Sequence, residues 1–384
     1  MKIESRWDVV KISDFIEIIG GGTPDTNNPD YWDGNIPWLS VVDFNNGNRF
    51  VDKTEKSITE KGLKNSSAKY INAGDLIISA RGTVGALGQL SIPMTFNQSC
   101  YGLRGNEKLD NGFLYYILKA EIEQLKNGSY GTIFKAITTK TFDDIKIPLP
   151  PIEVQQKIVT EIEIIEEKET QVAVQISEYQ KAKERIIEHV LRKYPKAEIG
   201  KVATVLGGKR IPKGRNFSGK KTEYPYIRVS DFKEGSVSLE TLKYIEFDVF
   251  EQIKNYTISK NDVYISIAGT IGLVGLIPKI LDGKSLTENA AKIVIDDKLI
   301  MKEFLYYCLS SNELQMQIKN NTKTVGVPKL ALKRIETLTI PLPSLIEQQK
   351  IVSEIEALEK EIVNAQRVID GIPEQKIAVL GKYL

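Results

Sequence analysis

Histidine and cysteine are nearly absent from this chain of 384 residues, which contains one histidine and two cysteines. His189 alone leaves almost no material for a Ser-His-Asp triad or a histidine-based metal site, and we interpret it as a helix-surface residue. Cys100 and Cys308 lie far apart in no C-x-x-C pattern, which argues against a metal site or a redox pair. We expect two reduced, semi-buried thiols in a cytoplasmic protein.

Long apolar runs are missing as well. No window approaches the roughly 18 apolar residues that a membrane span requires. The opening residues, MKIESRWDVV, contain no apolar stretch of signal-peptide length. We therefore expect a soluble protein that is not exported and has no membrane partner.

An excess of charge of one sign is also missing. The chain has 52 basic and 50 acidic side chains, a formal net charge of +2 and a pI near 8.2. This balance does not by itself indicate a nucleic-acid partner. Any basic binding surface must therefore be local.

Proline and glycine are absent between Glu153 and Arg192. This stretch is predicted to form one helix of roughly 40 residues, about 60 Å long. Ten positions alternate by four and three residues, and eight of them are apolar, as in a coiled-coil seam. These positions are Ile158, Ile162, Ile165, Glu169, Val172, Ile176, Tyr179, Lys183, Ile186 and Val190.

The start of this helix returns near the C-terminus. IPLPPIEVQQKIVTEIE (147–163) matches IPLPSLIEQQKIVSEIE (340–356) at 12 of 17 positions, with an offset of 193 residues. The second stripe runs through Ile351, Ile355, Leu358, Ile362, Ala365 and Ile369. We expect the two stripes to bury against each other in antiparallel helices. Gly371 and Pro373 should end the second helix, which leaves a short separate element after it.

The segments before the two helices repeat each other in the same order. IPWLSVVDF (36–44) parallels YPYIRVSDF (224–232), and GDLIISARGTVG (74–85) parallels NDVYISIAGTIG (261–272). FLYYIL (113–118) then parallels FLYYCL (304–309). The chain therefore contains two copies of one unit, each made of a globular block and a helix.

This repeat predicts an α+β fold with two related globular domains, separated by two long antiparallel coiled-coil helices and related by a pseudo-two-fold axis. The predicted globular domains are residues 1–147 and 194–340. The predicted spacer helices are residues 148–193 and, with a C-terminal element, 341–384.

The strongest local charge is a loop at 209–221, which has six basic side chains and no acidic one. The basic residues are Lys209, Arg210, Lys213, Arg215, Lys220 and Lys221. A long basic loop with one aromatic residue, Phe217, suits phosphate contact and entry into a DNA groove. A disordered solvated loop is the alternative. The counterpart loop in the first block, Gly20 to Pro29, is polar but not basic.

Two glycine turns end equivalent strands at 82–85 and 269–272 and allow the close approach of a partner. The candidate DNA contacts here are Arg81, Gly82, Thr83, Gly269 and Thr270. A turn that packs on its own sheet is an equal alternative. Ala268 stands in the second copy where Arg81 stands in the first, which weakens a general role for that arginine.

Two motifs come close to enzyme signatures without matching them. Asn28-Pro29-Asp30-Tyr31 resembles the Asn-Pro-Pro-Tyr motif of amino-methyltransferases, but a proline-containing turn explains it better. GRNFSGKK (214–221) lacks the Ser or Thr of a phosphate-binding loop at Lys221 and has no helix predicted after it. We therefore propose no catalytic residue and no metal ligand.

The chain resembles the specificity subunit of type I restriction-modification systems. GGTP (21–24), IPWLSVVDF, RGTVG (81–85), the paired IPLP and QQKIV stretches and the two-fold repeat carry this resemblance. It implies that each globular block is a target-recognition domain for one half of a bipartite double-stranded DNA sequence. The helices would then be the spacer and the docking surface for two modification subunits.

The resemblance also implies that this chain binds no cofactor. S-adenosylmethionine, ATP and Mg²⁺ would be used by the partner subunits, and restriction subunits would join through the complex. Two other hypotheses stay open. A methyltransferase or nuclease with an unrecognised site would transfer methyl groups or cut DNA alone, and a coiled-coil scaffold would not bind DNA.

Overall fold

The computed structural model describes residues 6–126, 136–322 and 328–384. These residues form two compact units. The first contains the chain up to Gln171 together with Val368–Leu384, and the second is Val172–Arg367. Both dividing points lie inside long helices, so each unit contains a globular part and portions of two helices.

The first unit contains eleven strands among the described residues, and they form three sheets. The strands are β1 (Val9–Lys11), β2 (Ile16–Gly20), β3 (Trp32–Leu39), β4 (Phe50–Val51), β5 (Lys56–Ile58), β6 (Tyr70–Ile71), β7 (Leu76–Ser79), β8 (Leu87–Leu90), β9 (Met94–Phe96), β10 (Cys100–Gly105) and β11 (Lys146–Pro148). The sheet orders are β2-β10-β7-β8-β4, β5-β3-β9-β6 and β1-β11. The helices are α1 (Val41–Phe44), α2 (Glu60–Lys64), α3 (Asn111–Lys126), α4 (Thr139–Asp144) and the shared α5 (Ile152–Lys193), with 3-10 turns at Ile12–Asp14 and Pro29–Tyr31.

The second unit repeats this order. Its strands are β12 (Lys196–Glu198), β13 (Ala203–Gly207), β14 (Pro225–Ile227), β15 (Phe232–Lys233), β16 (Ser236–Val237), β17 (Lys243–Tyr244), β18 (Thr257–Ile258), β19 (Val263–Ser266), β20 (Val274–Leu276), β21 (Lys284–Leu286), β22 (Ala290–Ile295) and β23 (Thr339–Pro341). Its helices are α6 (Phe247–Ile253), α7 (Lys302–Ser310), α8 (Asn312–Asn321), α9 (Leu332–Glu336) and α10 (Leu345–Asp370), with 3-10 turns at Ile199–Lys201, Val229–Asp231 and Lys279–Leu281. The final helix of the chain, α11 (Ile372–Tyr383), belongs to the first unit.

The two units share one sheet topology, which confirms the predicted α+β repeat. The order β13-β22-β19-β20 matches β2-β10-β7-β8 of the first unit, β17-β14-β21-β18 matches β5-β3-β9-β6, and β12-β23 matches β1-β11. In each unit one parallel pair, β3 with β9 or β14 with β21, lies in the second of these sheets. The units differ at one sheet edge, where β4 extends a sheet but β15 and β16 form a separate pair.

The predicted long helix is confirmed as α5, with 42 residues. It begins directly after Pro151 and ends at Lys193, one residue before the Tyr194-Pro195 pair, because a residue before proline is pushed out of the helical region. Helix α10 begins after Ser344, whose backbone and side chain bond Glu347 in a capping box. The predicted interruption is also confirmed, since α10 ends at Asp370.

In the first unit, α5 and α11 run antiparallel. Glu161 accepts hydrogen bonds from Lys382 at 2.8 Å and from Tyr383 at 2.6 Å. Two turns further along α5, Glu169 accepts one from Lys376 at 3.0 Å. The pairing therefore continues past the interruption, which the sequence analysis did not anticipate.

In the second unit, the later part of α5 runs antiparallel to α10. Lys183 bonds Glu359 at 2.8 Å, and the hydroxyl of Tyr194 bonds Glu347 at 3.2 Å. The descending numbers on α10 against ascending numbers on α5 fix the direction. This agrees with the fold predicted from the repeat.

All the seam positions predicted in both helices are buried or half-buried. Their ends, however, do more than pair the helices. Ile158 and Ile162 belong to the core of the first globular part, together with Leu384. Ile351 and Ile355 belong to the core of the second. Each globular part and its helix ends therefore share one apolar core.

Two repeat-related glutamines join the globular parts to the helices. Gln348 is fully buried and donates to the carbonyls of Leu299 at 2.9 Å and Pro343 at 3.0 Å, while it accepts from the backbone of Met301 at 2.8 Å. Gln155 makes the same three kinds of bond in the first unit. Every polar atom of these amides is therefore used, which explains the glutamine in both QQKIV stretches.

We expect Gln348→Ala to lower the free energy of unfolding by roughly 3 kcal/mol, because it removes the amide partner of one buried and two partly buried backbone groups. Gln349→Ala is the matched control, since Gln349 is the exposed neighbour on the same helix. Urea unfolding followed by far-UV circular dichroism measures both. Equal midpoints for the two variants would contradict the anchoring role.

Candidate DNA-binding surfaces

The basic loop of the second unit has no regular structure between Gly208 and Tyr224. It is fixed at both ends to the sheet that contains β14. Lys209 donates its backbone N–H to Leu286 at 2.9 Å and accepts the hydroxyl of Tyr226 at 2.7 Å. Ser218 donates its backbone N–H to Tyr244 at 2.7 Å. The loop is therefore held on the domain at both ends and is exposed between them.

All six basic side chains of the loop are exposed, but they are not equally available. Arg210 pairs with Glu288 at 2.5 Å, and Arg215 pairs with Asp248. Lys209 lies over the ring of Tyr256, with 5.3 Å from its Nζ to the ring centroid. The other three, Lys213, Lys220 and Lys221, have no side-chain ion pair within the described ranges.

The ion pair at the base of the loop is electrostatically well defined. Burial opposes ionisation of Glu288, but the hydrogen bond and charge of Arg210, a backbone hydrogen bond and the Thr287 hydroxyl together outweigh it, so the pKa of Glu288 is lowered. That hydrogen bond also raises the pKa of Arg210. Burial raises the pKa of Tyr226 to about 12, so its hydroxyl remains a donor to the loop. We infer that Arg210 orients the loop.

The aromatic residue of the loop, Phe217, is 39% exposed. Its ring packs edge-on against Tyr226 at 5.6 Å between centroids. The guanidinium of Arg228 lies 5.7 Å from the Phe217 centroid. The residue is therefore supported from beneath and leaves part of its ring accessible.

The glycine turns have the same geometry in both units. Gly82 and Gly269 have φ values of 76° and 75°, in the left-handed region that favours glycine. Gly85 and Gly272 donate to the last residue of the preceding strand at 2.9 and 3.0 Å. The backbone of each turn therefore packs on its own sheet, which was the alternative interpretation of these turns.

The tips of these turns are nevertheless open. Arg81, Gly82 and Thr83 are exposed in the first unit, and Gly269 and Thr270 in the second. A Cβ atom on Gly82 or Gly269 would meet nothing within 4 Å. The turns thus present exposed tips without crowding from their own domains.

A connecting turn at 287–289 brings the basic loop and the glycine turn together in the second unit. Glu288 bonds Arg210, and the carbonyl of Asn289 accepts the backbone N–H groups of Ile267 and Ala268 at 2.8 and 3.2 Å. The loop and the glycine turn therefore belong to one edge of the domain.

The first unit builds the same edge from different side chains. Thr23 bonds Gln98, and Ala80 donates its backbone N–H to Ser99 at 2.8 Å. The backbone N–H of Gly22 bonds the carbonyl of Phe96, and that of Lys209 bonds the carbonyl of Leu286 in the same way. Gly22 and Lys209 are therefore equivalent, and so are the residues that follow them, Thr23 and Arg210. A neutral contact thus replaces an ion pair at the same place.

The polar loop of the first unit is a set of capped turns. Asn28 accepts from the backbone of Asp30 and begins the 3-10 turn Pro29–Tyr31, which confirms the proline-containing turn. Asp30 pairs with Lys61 at 2.6 Å, and the hydrogen bond from this lysine lowers the pKa of Asp30. The phosphate-loop resemblance of 214–221 is not supported, because strand β14 follows it and no helix does.

Sequence reasoning missed basic residues beside the glycine turns. Lys329 forms a β-bridge with Ala268, next to Gly269. Just before each glycine turn, a backbone carbonyl accepts a hydrogen bond from a distant residue: Ala80 from Ile137 and Ile267 from Leu330. Three positions after each of these donors is an exposed lysine, Lys140 in the first unit and Lys333 in the second. Extending the 193-residue repeat upstream of IPLP finds this pair, since ITTK (137–140) then aligns with LALK (330–333).

Catalytic and metal-binding groups are few in the described residues. Within them there is no group of three or more His, Cys, Asp or Glu side chains that could hold a metal ion. His189 is exposed on α5. Both cysteines are buried rather than semi-buried as predicted, and burial raises the pKa of Cys100 to about 12 and that of Cys308 further. Over the same residues, none of the helices has the length and apolar character to cross a membrane.

Comparison with known proteins gives consistent matches. The family described as type I restriction modification DNA specificity domain matches residues 4–178 and again residues 192–372. The chain is 27% identical to the type I restriction enzyme MjaIX specificity subunit of Methanocaldococcus jannaschii, over 100% of this chain and 94% of the relative. It is 25% identical to the EcoBI specificity subunit of Escherichia coli, over 80% of this chain and 73% of the relative.

Solved structures have the same fold. A chain from a study of complex assembly and conformational transition in a type I R-M system has a TM-score of 0.66 at 18% identity, over 100% of this chain and 98% of the other. The S subunit of a type I restriction-modification system from M. genitalium has a TM-score of 0.55 at 15% identity, over 100% and 97%. Because the specificity domain is matched twice, along a chain whose two units repeat one strand order, the protein belongs to the type I restriction modification DNA specificity family.

Proposed function

We propose that each unit reads one half of a bipartite DNA sequence and that the chain thereby gives a type I restriction-modification enzyme its sequence specificity. The repeated edge carries this proposal. Its loop, connecting turn and glycine turn each share an equivalent backbone bond between the two units, while the exposed side chains differ. One framework with two different surfaces suits two different half-sites.

In the second unit, Lys213, Lys220 and Lys221 supply phosphate contacts, because they are exposed and form no ion pair with a carboxylate of the described residues. Arg210 and Arg215 hold the loop in place through their ion pairs. The exposed tip at 269–270 and the partly exposed ring of Phe217 lie toward the bases.

In the first unit, phosphate contact comes from the exposed Arg81 and Lys140 rather than from a basic loop. The exposed tip formed by Gly82 and Thr83 allows close approach to the duplex. The polar loop at 20–29 reads its half-site through neutral hydrogen-bonding groups.

The chain is a non-catalytic recognition subunit. The long helices act as spacer and as docking surface for two modification subunits, and restriction subunits join through the complex. S-adenosylmethionine, ATP and Mg²⁺ are used by those partners. The assembly works in the cytoplasm, where the two buried thiols stay reduced.

Mapping methylated sites in DNA from cells that express this chain with its modification subunits tests the proposal. We expect a bipartite target whose halves are separated by an unspecified spacer of fixed length. The purified chain alone should transfer no methyl groups. Methylation at a single continuous site would overturn the proposal, and so would methyl transfer by the isolated chain.

A separate test addresses the basic loop. Changing Lys220 and Lys221 together to Gln should weaken binding to all DNA sequences alike and reduce the salt slope by about 0.9 for each lost phosphate contact. The assembled complex is titrated with DNA at several salt concentrations. Lys298→Gln is the matched control, because this exposed lysine follows the far end of β22 from the connecting turn. An unchanged slope in the double variant would rule out these phosphate contacts.

A further inference from the structure

Each unit contains a hydrogen bond from a buried tyrosine of the globular part to a glutamate of the long helix. Tyr116 on α3 donates its hydroxyl to Glu166 on α5 at 2.7 Å. Tyr307 on α7 donates to Glu359 on α10 at 2.8 Å. The tyrosines are second in the two Tyr-Tyr pairs of the FLYY repeat, and each is 5% exposed.

A lysine from the other helix completes each contact. Lys376 on α11 bonds Glu166 at 3.2 Å, and Lys183 on α5 bonds Glu359 at 2.8 Å. The glutamates are offset by 193 residues and so are the lysines. Lys183, from the first copy of the repeat, therefore bonds the glutamate of the second unit, and Lys376, from the second copy, bonds the glutamate of the first unit.

These clusters join three separate elements at the junction between globular part and helices. Burial raises the pKa of Tyr116 and of Tyr307, so both hydroxyls remain donors to their glutamates. Burial opposes the charge of Lys376, but hydrogen bonds and charges from Glu169 and Glu166 outweigh it and raise its pKa. The lysine is therefore charged.

The first unit adds one more contact to its cluster. Arg49 bonds the Tyr116 hydroxyl at 2.8 Å and Glu163 at 2.7 Å, and its guanidinium lies 4.8 Å from the Tyr116 ring centroid. Its side chain is 9% exposed. In the second unit Gly235 occupies the position of Arg49. The carbonyl of Gly235 accepts a hydrogen bond from Leu276 on β20, just as the carbonyl of Arg49 accepts one from Gln89 on the equivalent strand β8. The Tyr-Glu-Lys set is thus what the two units have in common.

An apolar junction alone would resist sliding and rotation poorly, because the hydrophobic effect has no directional preference. A hydrogen bond to a charged group depends on distance and angle and is stronger than a neutral one. The core around Ile162 or Ile355 therefore holds each globular part to its helices, while the Tyr-Glu-Lys set defines one orientation.

We propose that Tyr116–Glu166–Lys376 and Tyr307–Glu359–Lys183 are positioning clusters that fix the orientation of each recognition domain on its helix pair and thereby restrict the spacer length between the half-sites. This inference rests on the proposed function. It assigns to these six residues a role in target spacing without any contact to bases.

The test uses the complex of this chain with its modification subunits and a set of DNA duplexes that differ only in spacer length. Tyr116→Phe with Tyr307→Phe removes both hydroxyls and keeps both rings. We expect the preference for the natural spacer over spacers one base pair longer or shorter to fall about tenfold, because each domain loses a bond to a charged group. Methylation at the natural spacing should persist, with both half-site sequences unchanged.

Tyr115→Phe with Tyr306→Phe is the matched control, because these neighbours in the same repeat make no side-chain hydrogen bond to a helix among the described residues. A charge exchange adds a second test. Glu359→Lys alone should broaden spacer selection. Combining it with Lys183→Glu should restore selection in part, because the ion pair re-forms with its charges exchanged and the new ammonium donates to the Tyr307 hydroxyl oxygen.

The outcomes separate the inference from the function on which it rests. If the unaltered complex methylates no bipartite target, the proposed function fails. If it does, and the Tyr116→Phe, Tyr307→Phe complex has the same spacer preference as the control, the positioning role is wrong. Equal loss of methylation at every spacer, or no rescue by the charge exchange, would also count against it, since a purely structural contact would behave that way.

Discussion

Replacing Ile355 by Asp will lower the free energy of unfolding of the second unit by roughly 5 kcal/mol. Ile355 is fully buried in the core that α10 shares with the globular part and with Val190 and Leu191 of α5. Burial of an isoleucine contributes about 1.5–3 kcal/mol, and a carboxylate in this apolar core must be desolvated or protonated. Urea unfolding followed by far-UV circular dichroism measures the loss.

The equivalent change in the first unit is Ile162→Asp, because Ile162 is 1% exposed in the other shared core. The three tryptophans of the chain, Trp7, Trp32 and Trp38, all lie in the first unit, so fluorescence follows its unfolding selectively.

The helices themselves provide the matched controls. Ile164→Asp and Val363→Asp place the same carboxylate on exposed faces, at residues 62% and 50% exposed. We expect these two variants to change stability by less than about 0.5 kcal/mol. If Ile355→Asp is no more harmful than Val363→Asp, the seam does not hold the helix in the core.

Periodicity and repetition were enough to predict the elements that depend on regular patterns. The four-three stripe from Ile158 to Val190 requires only that apolar residues share one face of a helix, and this is a local property of the sequence. The repeat then predicted a second helix and a second domain of the same topology. Both inferences use spacing alone and need no knowledge of distant contacts.

The pairing of α11 with α5 was not predicted, because Gly371 and Pro373 mark an interruption but do not say where the chain goes next. The offset of 193 residues between the two copies of the repeat predicts where α11 packs. It aligns Val379, Leu380 and Leu384 with Ile186, Ile187 and Leu191, which are core residues of the other unit. Comparison of the two copies beyond the conspicuous matches would have predicted the contact.

The candidate DNA-binding residues were only partly predictable. Six basic residues in one loop are visible as a local excess of charge, but the sequence does not show that Glu288 and Asp248 lie against Arg210 and Arg215. Those partners are 78 and 33 positions away in the chain, in the connecting turn and in helix α6, and only the folded domain brings them near. Counting the charged residues in a short stretch of sequence therefore cannot show that acidic residues far away in the chain neutralise some of them.

Exchanging residues 196–339 for the matching segment of a family member with a different target will change one half of the methylated sequence and leave the other half intact. This segment enters and leaves the second globular part at one place, because β12 pairs with β23 and Lys196 lies opposite Pro341. The graft therefore crosses a single two-stranded ladder. It leaves α5, α10 and the buried Gln348 in place.

The donor segment must have a tyrosine at the position of Tyr307, so that the contact to Glu359 is kept. Under that condition we expect methylation at the original spacer length. The measurement is a map of methylated sites in cells that express the exchanged chain with its original modification subunits.

The reciprocal exchange is the matched control for this experiment. Residues 9–146 form the equivalent segment of the first unit, since Val9 lies opposite Pro148 in the pair of β1 and β11 as Lys196 lies opposite Pro341. Replacing them should alter the other half of the target only. Recognition by independent domains requires both results, because each domain contacts its own base edges and takes its phosphate contacts with it. If either exchange changes both halves at once, the two domains form one composite site, and the assignment of one half-site to each unit is wrong.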